Sequence, residues 1–370
     1  MEQSCQNKIA IVGGGPAGIY CALNILKKFK DNDFNNFCIH VFDKSKILNT
    51  ILPTGGTRCN ITNGIEDIKE FASNYPRGEK FLYSVFSKHF SFDTLDFFNS
   101  LGIKTYKDEN NRFYPVSNSS KEVRDKMLSE LAKYKNIKII NKEILSKNDI
   151  KNYNYVIISA GSRNTEKLIK SFNHTLHPFK KALVALRIDN MIYPEGVTVK
   201  SLDGDFIFTK NGISGPLAFK ISSDNVNKPF PYEIGIKLFD INELFNLIKE
   251  NPKKSIGTIV SMLLPKSFTK TLIKNFDKKA SEISKKDLEE LSTLKLTVIG
   301  TENKGEIVNS GGVDLQELTN NCKSKIENNL WFCGEILDID GYCGGFNLQN
   351  CWSTGYVVAN DVVKTILNNS

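Results

Sequence analysis

Short apolar runs punctuated by glycine set the frame of the chain. Residues 9–12 are an unbroken apolar run rich in β-branched side chains, which reads with Lys8 as a buried strand. Glycines with Pro16 and Ala17 fill 13–18. Apolar positions then recur at helical spacing over 19–26, fading at Lys27 and Lys28. Residues 37–42 read as a second strand with Asp43 at its end. Strand, glycine-rich turn, helix and strand in that order make a β-α-β unit. The pattern predicts short helices over 77–88 and 92–100. A stronger one covers 119–135, with Asn118 or Ser119 as its cap. Strands are expected at 137–140 and 153–159. The second runs into a tight turn at Ala160, Gly161 and Ser162.

The texture changes after residue 181. Short strands are predicted at 183–189, 196–201, 205–209 and 231–238, with a helix starting at Ser214-Gly215-Pro216. Residues 241–294 are mostly helical, interrupted at Asn251-Pro252 and Leu264-Pro265. Strands return at 295–300, 305–308 and 329–333. A glycine-rich stretch over 334–345 leads into one long helix from Phe346 to Leu367.

A chain of 370 residues exceeds one small core. With 40% hydrophobic and 24% charged residues it has the balance of a folded globular protein. Lys and Arg exceed Asp and Glu by 49 to 41, and the resulting +8 is spread along the chain. It permits an anionic ligand without demanding one. The lysine-rich stretch 251–290, nine lysines against five acids, has no interleaved aromatics or paired arginines. It reads as solvated helix faces, and a nucleic-acid partner is disfavoured. No apolar run is long enough for a membrane-spanning helix. The polar start shows no secretory leader, so a cytoplasmic location is expected. Eight cysteines form no C-x2-C pair and there are four histidines, which gives no support to a metal site. The cysteines are expected to be reduced thiols, several of them buried.

The candidate chemistry begins at Gly13, Gly15 and Gly18, which satisfy G-x-G-x-x-G with Pro16 and Ala17 between them. The spacing serves a tight turn, close approach of a pyrophosphate and close helix–strand packing. Asp43, at the end of the next strand, suits a ribose with a free 2′-hydroxyl, hence FAD or NAD rather than NADP. No second such turn occurs, so the dinucleotide is expected to be a resident cofactor. Thr54 to Asn63 joins a double glycine to Arg58 and short polar side chains. It is either an anion-holding loop or a tight loop with Arg58 in a salt bridge. In 334–350, a strand leads through acids to glycines that open a helix, a setting for ribityl hydroxyls and a flavin ring.

These segments resemble the YhiN/BaiN-type flavoproteins, an FAD-dependent oxidoreductase family. The matching motifs are the Gly13–Gly18 turn and Gly55-Gly-Thr-Arg-Cys-Asn-Ile-Thr-Asn63, in which Thr57 replaces a glycine. A third is Phe208-Thr-Lys-Asn-Gly-Ile-Ser-Gly-Pro216. The last is Gly311-Gly-Val-Asp314 with 334–349. The resemblance implies a Rossmann-like α/β FAD-binding domain of the two-dinucleotide-binding flavoprotein type. A mixed β-barrel and helical domain is inserted in it, giving 1–182, 183–303 and 304–370. It implies that Gly13, Gly15, Pro16, Ala17, Gly18 and Asp43 hold the ADP half. Arg58, Cys59, Asn60, Thr62 and Asn63, with Ala160 and Gly161, would line the cleft. Gly334, Glu335 and Asp338 would face the ribityl and phosphate region, and Gly344, Gly345, Phe346, Asn347 and Leu348 the ring.

Two departures stand out. Leu48 to Pro53 replaces a basic G-R-K segment of the family, and the glycine-rich stretch after Ser159 is shortened. The expected activity is hydride or electron transfer between a pyridine nucleotide, NAD(P)H, and a small organic substrate. The alternatives are a flavin-binding protein with lost or altered catalysis, or a flavoprotein acting on RNA. His174 and His177 are candidate acid–base residues by type, and no catalytic residue is singled out. Cys59 and Cys343 read as structural thiols.

Overall fold

The computed structural model describes residues 5–162, 165–302 and 308–369. In chain order the first elements are β1 (Asn7–Val12), α1 (Pro16–Asp31), β2 (Phe37–Asp43), β3 (Thr62–Asn63) and α2 (Ile68–Ala72). Next come α3 (Glu79–Phe86), α4 (Ser91–Ser100), β4 (Thr105–Lys107), β5 (Arg112–Pro115), α5 (Ser120–Leu131) and β6 (Ile137–Asn141). They are followed by β7 (Tyr155–Ile158), α6 (Glu166–Ser171) and β8 (Leu176–Ala182). The middle of the chain holds β9 (Leu186–Ile188), β10 (Thr198–Val199), β11 (Phe206–Thr209), β12 (Gly212–Ser214), α7 (Pro216–Asp224) and β13 (Tyr232–Lys237). After these come α8 (Ile241–Glu250), α9 (Ile256–Val260), α10 (Lys266–Leu272), α11 (Lys285–Leu291) and β14 (Thr293–Thr301). The chain closes with β15 (Val308–Val313), β16 (Leu330–Phe332) and α12 (Phe346–Asn368). Of the strand expected at 305–308, all but Val308 lies outside the described residues.

Two compact units form, residues 1–180 with 309–370, and 181–308. The first is built on a parallel sheet in the order β16-β7-β1-β2-β6. Ile9, Ile11, Ile39, Val41, Ile157 and Phe332 are buried in it, as continuous apolar runs require when helices cover both faces. The chain leaves β1 toward β2 and β6, then returns to β7 on the other side of β1. That reversal is a topological switch point, where crevices open beyond the carboxyl ends of the strands. α1 and α12 pack closely. A Cβ at Gly355 would stand 2.8 Å from the Ala17 carbonyl oxygen, so this residue sets how near the helices come. A small antiparallel sheet, β3-β5-β4, and the β8–β15 pair complete the strands here.

The second unit is a six-stranded sheet, order β10-β11-β12-β9-β14-β13, antiparallel at each pairing. Its core includes Phe206, Phe208, Ile236, Leu244, Phe268 and Val298. The helical stretch breaks at both predicted prolines, between α8 and α9 and between α9 and α10.

One expectation is corrected. Cys5 and Cys38 form a disulfide, with Cα atoms 5.9 Å apart, rather than free thiols. The parallel register sets Lys8 against Cys38 and so carries Cys5 to the neighbouring strand. Cys21, Cys59, Cys322, Cys333 and Cys351 are free and buried, and Cys343 is free and exposed. Among the described residues, no helix is long and apolar enough to cross a membrane.

Candidate functional site

Four strand ends converge at the carboxyl edge of the parallel sheet. β1 delivers Gly13–Gly18, β2 Asp43, β7 Ser159 to Gly161, and β16 Cys333 to Glu335. Ser159 ties two of these turns together. Its hydroxyl donates to the Gly13 carbonyl at 2.8 Å and its backbone N–H to the Val12 carbonyl at 2.8 Å.

The three motif glycines have different surroundings. A Cβ at Gly13 would meet the Ser159 carbonyl oxygen at 2.4 Å, and one at Gly18 the Gly13 carbonyl oxygen at 2.1 Å. Both are required by the protein's own packing. Gly15 is not crowded: a Cβ there would meet only Thr50 Oγ1, at 3.7 Å, with φ at −76°. The fold does not need a glycine at 15, and the space above it faces the start of α1. That helix has no side-chain cap and no acid in its first turn, so its positive end is not internally neutralised. A dinucleotide pyrophosphate fits this cradle. Pro16 opens the helix, and Ala17 is buried beside Gly334, whose own Cβ would meet it at 2.6 Å.

Asp43 is partly engaged within the protein. Its Oδ2 accepts from the Gly14 N–H at 2.8 Å, and its Oδ1 from the Ser45 N–H and hydroxyl at 2.7 and 2.8 Å. An ionised carboxylate has about four acceptor positions, so room remains for a ribose hydroxyl. At the end of β7, Ala160 is half-buried. Gly161, at φ +65°, has nothing near the place of a Cβ.

The polar residues of the 55–63 loop are spent largely on fastening it to the start of α12. The Asn60 amide, oriented to satisfy both partners, accepts from the Gly345 N–H at 2.9 Å and donates to the Thr62 carbonyl at 3.1 Å. Asn63 donates to the Gly344 carbonyl at 2.9 Å, and the Thr62 hydroxyl to Gln349 Oε1 at 2.6 Å. Gly345, at φ +92°, caps α12; a Cβ there would lie 2.6 Å from the Thr62 carbonyl. Asn347 closes the turn from the other side. It accepts from the Gly341 N–H at 2.9 Å and donates to the Gly341 carbonyl at 2.6 Å. Phe346 is buried and its carbonyl accepts from the Tyr75 hydroxyl at 2.6 Å; Leu348 is half-buried. α12 also starts with no side-chain cap and no acid in its first turn. The Gly344–Gly345 turn is therefore a rigid frame at the positive end of a 23-residue helix.

Arg58 forms no ion pair among the described residues. It is exposed, lies over the Tyr114 ring at 4.3 Å, and donates to the Gly55 carbonyl at 3.2 Å. Thr57, which takes a family glycine position, has φ +69°, a costly conformation for a β-branched residue. Cys59 is fully buried, and desolvation pushes its thiol up to about 12, which makes a thiolate role at neutral pH untenable. Glu335 and Asp338 are both half-buried. Burial raises the Asp338 carboxyl, an effect that His177 and Arg77 oppose. His177 is 47% exposed, 4.0 Å from Asp338 and 3.6 Å from Asp314. His174 is a packed residue, held by Glu317 at 2.7 Å and Ser324 at 2.8 Å.

Three supporting features escape the sequence reading: Ser159, the buried Arg77–Asp340 pair, and Gln349. Gln349 sits inside a recognised motif, but its task is visible only in three dimensions. Its amide nitrogen donates to Thr94 at 2.9 Å and Ser353 at 2.8 Å while its oxygen accepts from Thr62. The network ends on His89, whose backbone carbonyl accepts from Ser353 and whose ring meets the Tyr20 hydroxyl at 2.8 Å.

Burial lowers the His89 imidazole to about 4. The unfolded chain, with an ordinary histidine pKa of ~6.5, then binds more protons than the folded one between these values. Stability from this group is complete above pH ~6.5 and is lost as pH falls toward 4, in all roughly 3 kcal/mol. Chemical denaturation of wild type and His89→Gln across this window checks it. The variant should show a shallower loss, and parallel curves would contradict the assignment.

Comparison with known proteins follows this geometry. The family described as "HI0933-like protein Rossmann domain" matches residues 7–361. The chain is 27% identical over 411 residues to a 3-dehydro-bile acid delta(4,6)-reductase of Clostridium scindens, covering 95% of this chain and 98% of that one. It is 26% identical over 411 residues to a ribosomal RNA dihydrouridine synthase of Haemophilus influenzae, covering 97% and 98%. A ribosomal RNA dihydrouridine synthase of Escherichia coli is 24% identical over 401 residues, covering 95% and 97%.

Proposed function

The chain belongs to the HI0933-like Rossmann-domain family of FAD-dependent oxidoreductases, and on that footing we propose that it reduces a carbon–carbon double bond conjugated to a carbonyl. The two kinds of named relative support this class. A 3-oxo steroid with 4,6-unsaturation and the uracil ring share one reactive element, an alkene polarised by a neighbouring carbonyl. Such a bond accepts hydride at the carbon β to the carbonyl and a proton at the α carbon.

The cradle over Gly15 is the observation that carries the cofactor assignment. Gly13, Gly15, Pro16, Ala17 and Gly18 would hold the pyrophosphate against the start of α1, and Asp43 would receive a ribose hydroxyl. Ala160 and Gly161, with Gly334, Glu335 and Asp338, would line the path of the ribityl chain. The 344–348 turn would face the ring, with Asn60, Thr62 and Asn63 holding that turn rigid and Arg58 and Cys59 in the supporting loop. A flavin held here would supply two-electron chemistry, with NADH or NADPH as the reductant and solvent as the source of the proton at the α carbon. The start of α12, with no side-chain cap and no acid in its first turn, would favour negative charge on a ring held beside it.

An RNA substrate is the second reading, favoured by the two dihydrouridine synthases among the relatives. The experiment is anaerobic. NADH and NADPH are mixed separately with the protein, and the reduced protein is then mixed with a 3-oxo-4,6-diene steroid or with ribosomal RNA lacking dihydrouridine. Bleaching by one nucleotide, followed by reoxidation with a product two hydrogens heavier, is expected. No bleaching by either nucleotide, or a reduced protein that neither substrate reoxidises, contradicts the reading.

A further inference from the structure

Residues 251–280 hold seven lysines and a single acid, Asp277, a formal +6. Sequence spacing alone leaves these lysines scattered. The fold gathers them. The Ser255–Lys279 bridge, with hydrogen bonds from the Ile256 N–H to the Lys278 carbonyl (2.9 Å) and from the Ala280 N–H to the Lys254 carbonyl (3.3 Å), zips two segments side by side. Lys253 and Lys254 on one strand of the zip thereby neighbour Lys278 and Lys279 on the other. Lys266, Lys270 and Lys274 follow at spacings of four along and just past α10, so they form one row.

All seven lysines are exposed, and they are absent from the ion pairs formed among the described residues. The apolar residues of the same segment point the other way. Ile256, Ile259, Val260, Phe268 and Ile273 are buried, and Phe276 packs where a Cβ at Gly257 would stand. The segment is a short amphipathic wrap with an almost uninterrupted cationic outer face. Like charges held this close repel one another, so the arrangement is favourable when a polyanion covers it.

We propose that this lysine wrap is a docking surface for the phosphate backbone of RNA. This inference rests on the RNA branch of the functional reading and not on the reductase chemistry itself. Three observations select RNA from other anionic partners. The cations are all lysines, compact point charges suited to tracking phosphates rather than to bidentate reading of base edges. The wrap exposes little apolar surface, with Met262 at 46% its one large exposed hydrophobic, so it lacks the apolar face that inserts into a lipid surface. Two relatives named for ribosomal RNA align across nearly the whole chain. The surface gives affinity without sequence information.

The test uses the full-length protein as purified and fluorescently labelled fragments of total ribosomal RNA, with binding followed by anisotropy over a range of salt. The comparison variant is K253E/K254E/K278E/K279E. A control, K30E/K104E/K135E/K138E, moves the same net charge on exposed positions elsewhere. Vesicles of phosphatidylglycerol with phosphatidylcholine form a second arm. Wild type should bind RNA with a steep salt dependence. The patch variant should bind at least tenfold more weakly, with the slope of log K against log salt reduced by about 3 to 4 for four lost phosphate contacts. The control should stay within a few-fold of wild type. Flavin content and bleaching by the pyridine nucleotide should be unchanged in both variants, so a failure of RNA binding is separable from a failure of the reductase reading. Equal weakening by patch and control, or no RNA binding by wild type at low salt, overturns the proposal. Loss of vesicle binding with RNA binding intact also overturns it, and assigns the surface to a membrane.

Discussion

Replacing Gly15 with alanine is expected to leave a folded protein that has lost most of its affinity for FAD. The reasoning is steric. At φ −76° an alanine is unstrained, and its Cβ meets only Thr50 Oγ1 at 3.7 Å. Stability of the cofactor-free chain should therefore change by no more than about 0.5 kcal/mol. The methyl group enters the volume in which a pyrophosphate would approach the first turn of α1, and the dissociation constant should rise by at least tenfold, equivalent to about 1.4 kcal/mol. Gly18→Ala behaves differently. Its Cβ would lie 2.1 Å from the Gly13 carbonyl oxygen, so the turn itself must shift and stability falls along with binding. Fluorescence titration with FAD, paired with denaturation of the stripped protein, separates the two. If Gly15→Ala binds FAD like wild type, the dinucleotide does not sit on this turn.

The second large effect concerns the buried pair beside the Gly341–Asn347 turn. Asp340 is fully buried and pairs bidentately with Arg77 through Nε and Nη2. Removing one partner of a buried pair costs about 3–5 kcal/mol, because the remaining charge is left in a poorly solvating interior. The two partners are not equivalent. The Arg77 side chain is 20% exposed and can reach water when its partner is gone, whereas Asp340 cannot. Arg77→Ala is therefore expected to cost more than Asp340→Asn. Arg77→Lys should recover little, since a point cation cannot fill two positions of the planar fork. Asp340 precedes the Gly341 backbone groups that Asn347 clasps, so the same variants should also weaken flavin retention. Urea midpoints give the order. A smaller cost for Arg77→Ala than for Asp340→Asn would mean that this carboxylate is not the dependent partner.

What the sequence reveals here depends on whether a feature is local. The β1–α1–β2 unit is legible because strand, glycine spacing and helix lie within forty residues, and α12 because its apolar positions repeat over six turns. Proline positions mark the breaks around α9. The β3-β5-β4 sheet is not legible: its strands run to two, four and three residues, too short for an alternation to register. The β8 strand carries Pro178 and two adjacent lysines, which mask it. The Cys5–Cys38 pairing depends on strand register, and a composition argument from cellular compartment missed it.

The site divides in the same way. Glycine spacing identifies where a backbone must come close to something. It does not say whether that something is protein or ligand, and only the contrast between Gly15 and Gly18 separates the cases. For Asn60, Thr62 and Asn63, residue type announces polar contacts, but their hydrogen bonds go chiefly to the α12 turn. Gln349 and Asp340 sit inside the same motif unnoticed because their partners are distant in sequence.

We propose that one FAD binds along the Gly13–Gly18 and Gly344–Gly345 turns. The most direct measurement is the visible absorption spectrum of the purified protein, followed by heat release and mass identification of whatever it carries. Two visible flavin bands and one FAD released per chain are expected, with free FAD restoring the bands after stripping. A colourless protein that takes up no added FAD would contradict it.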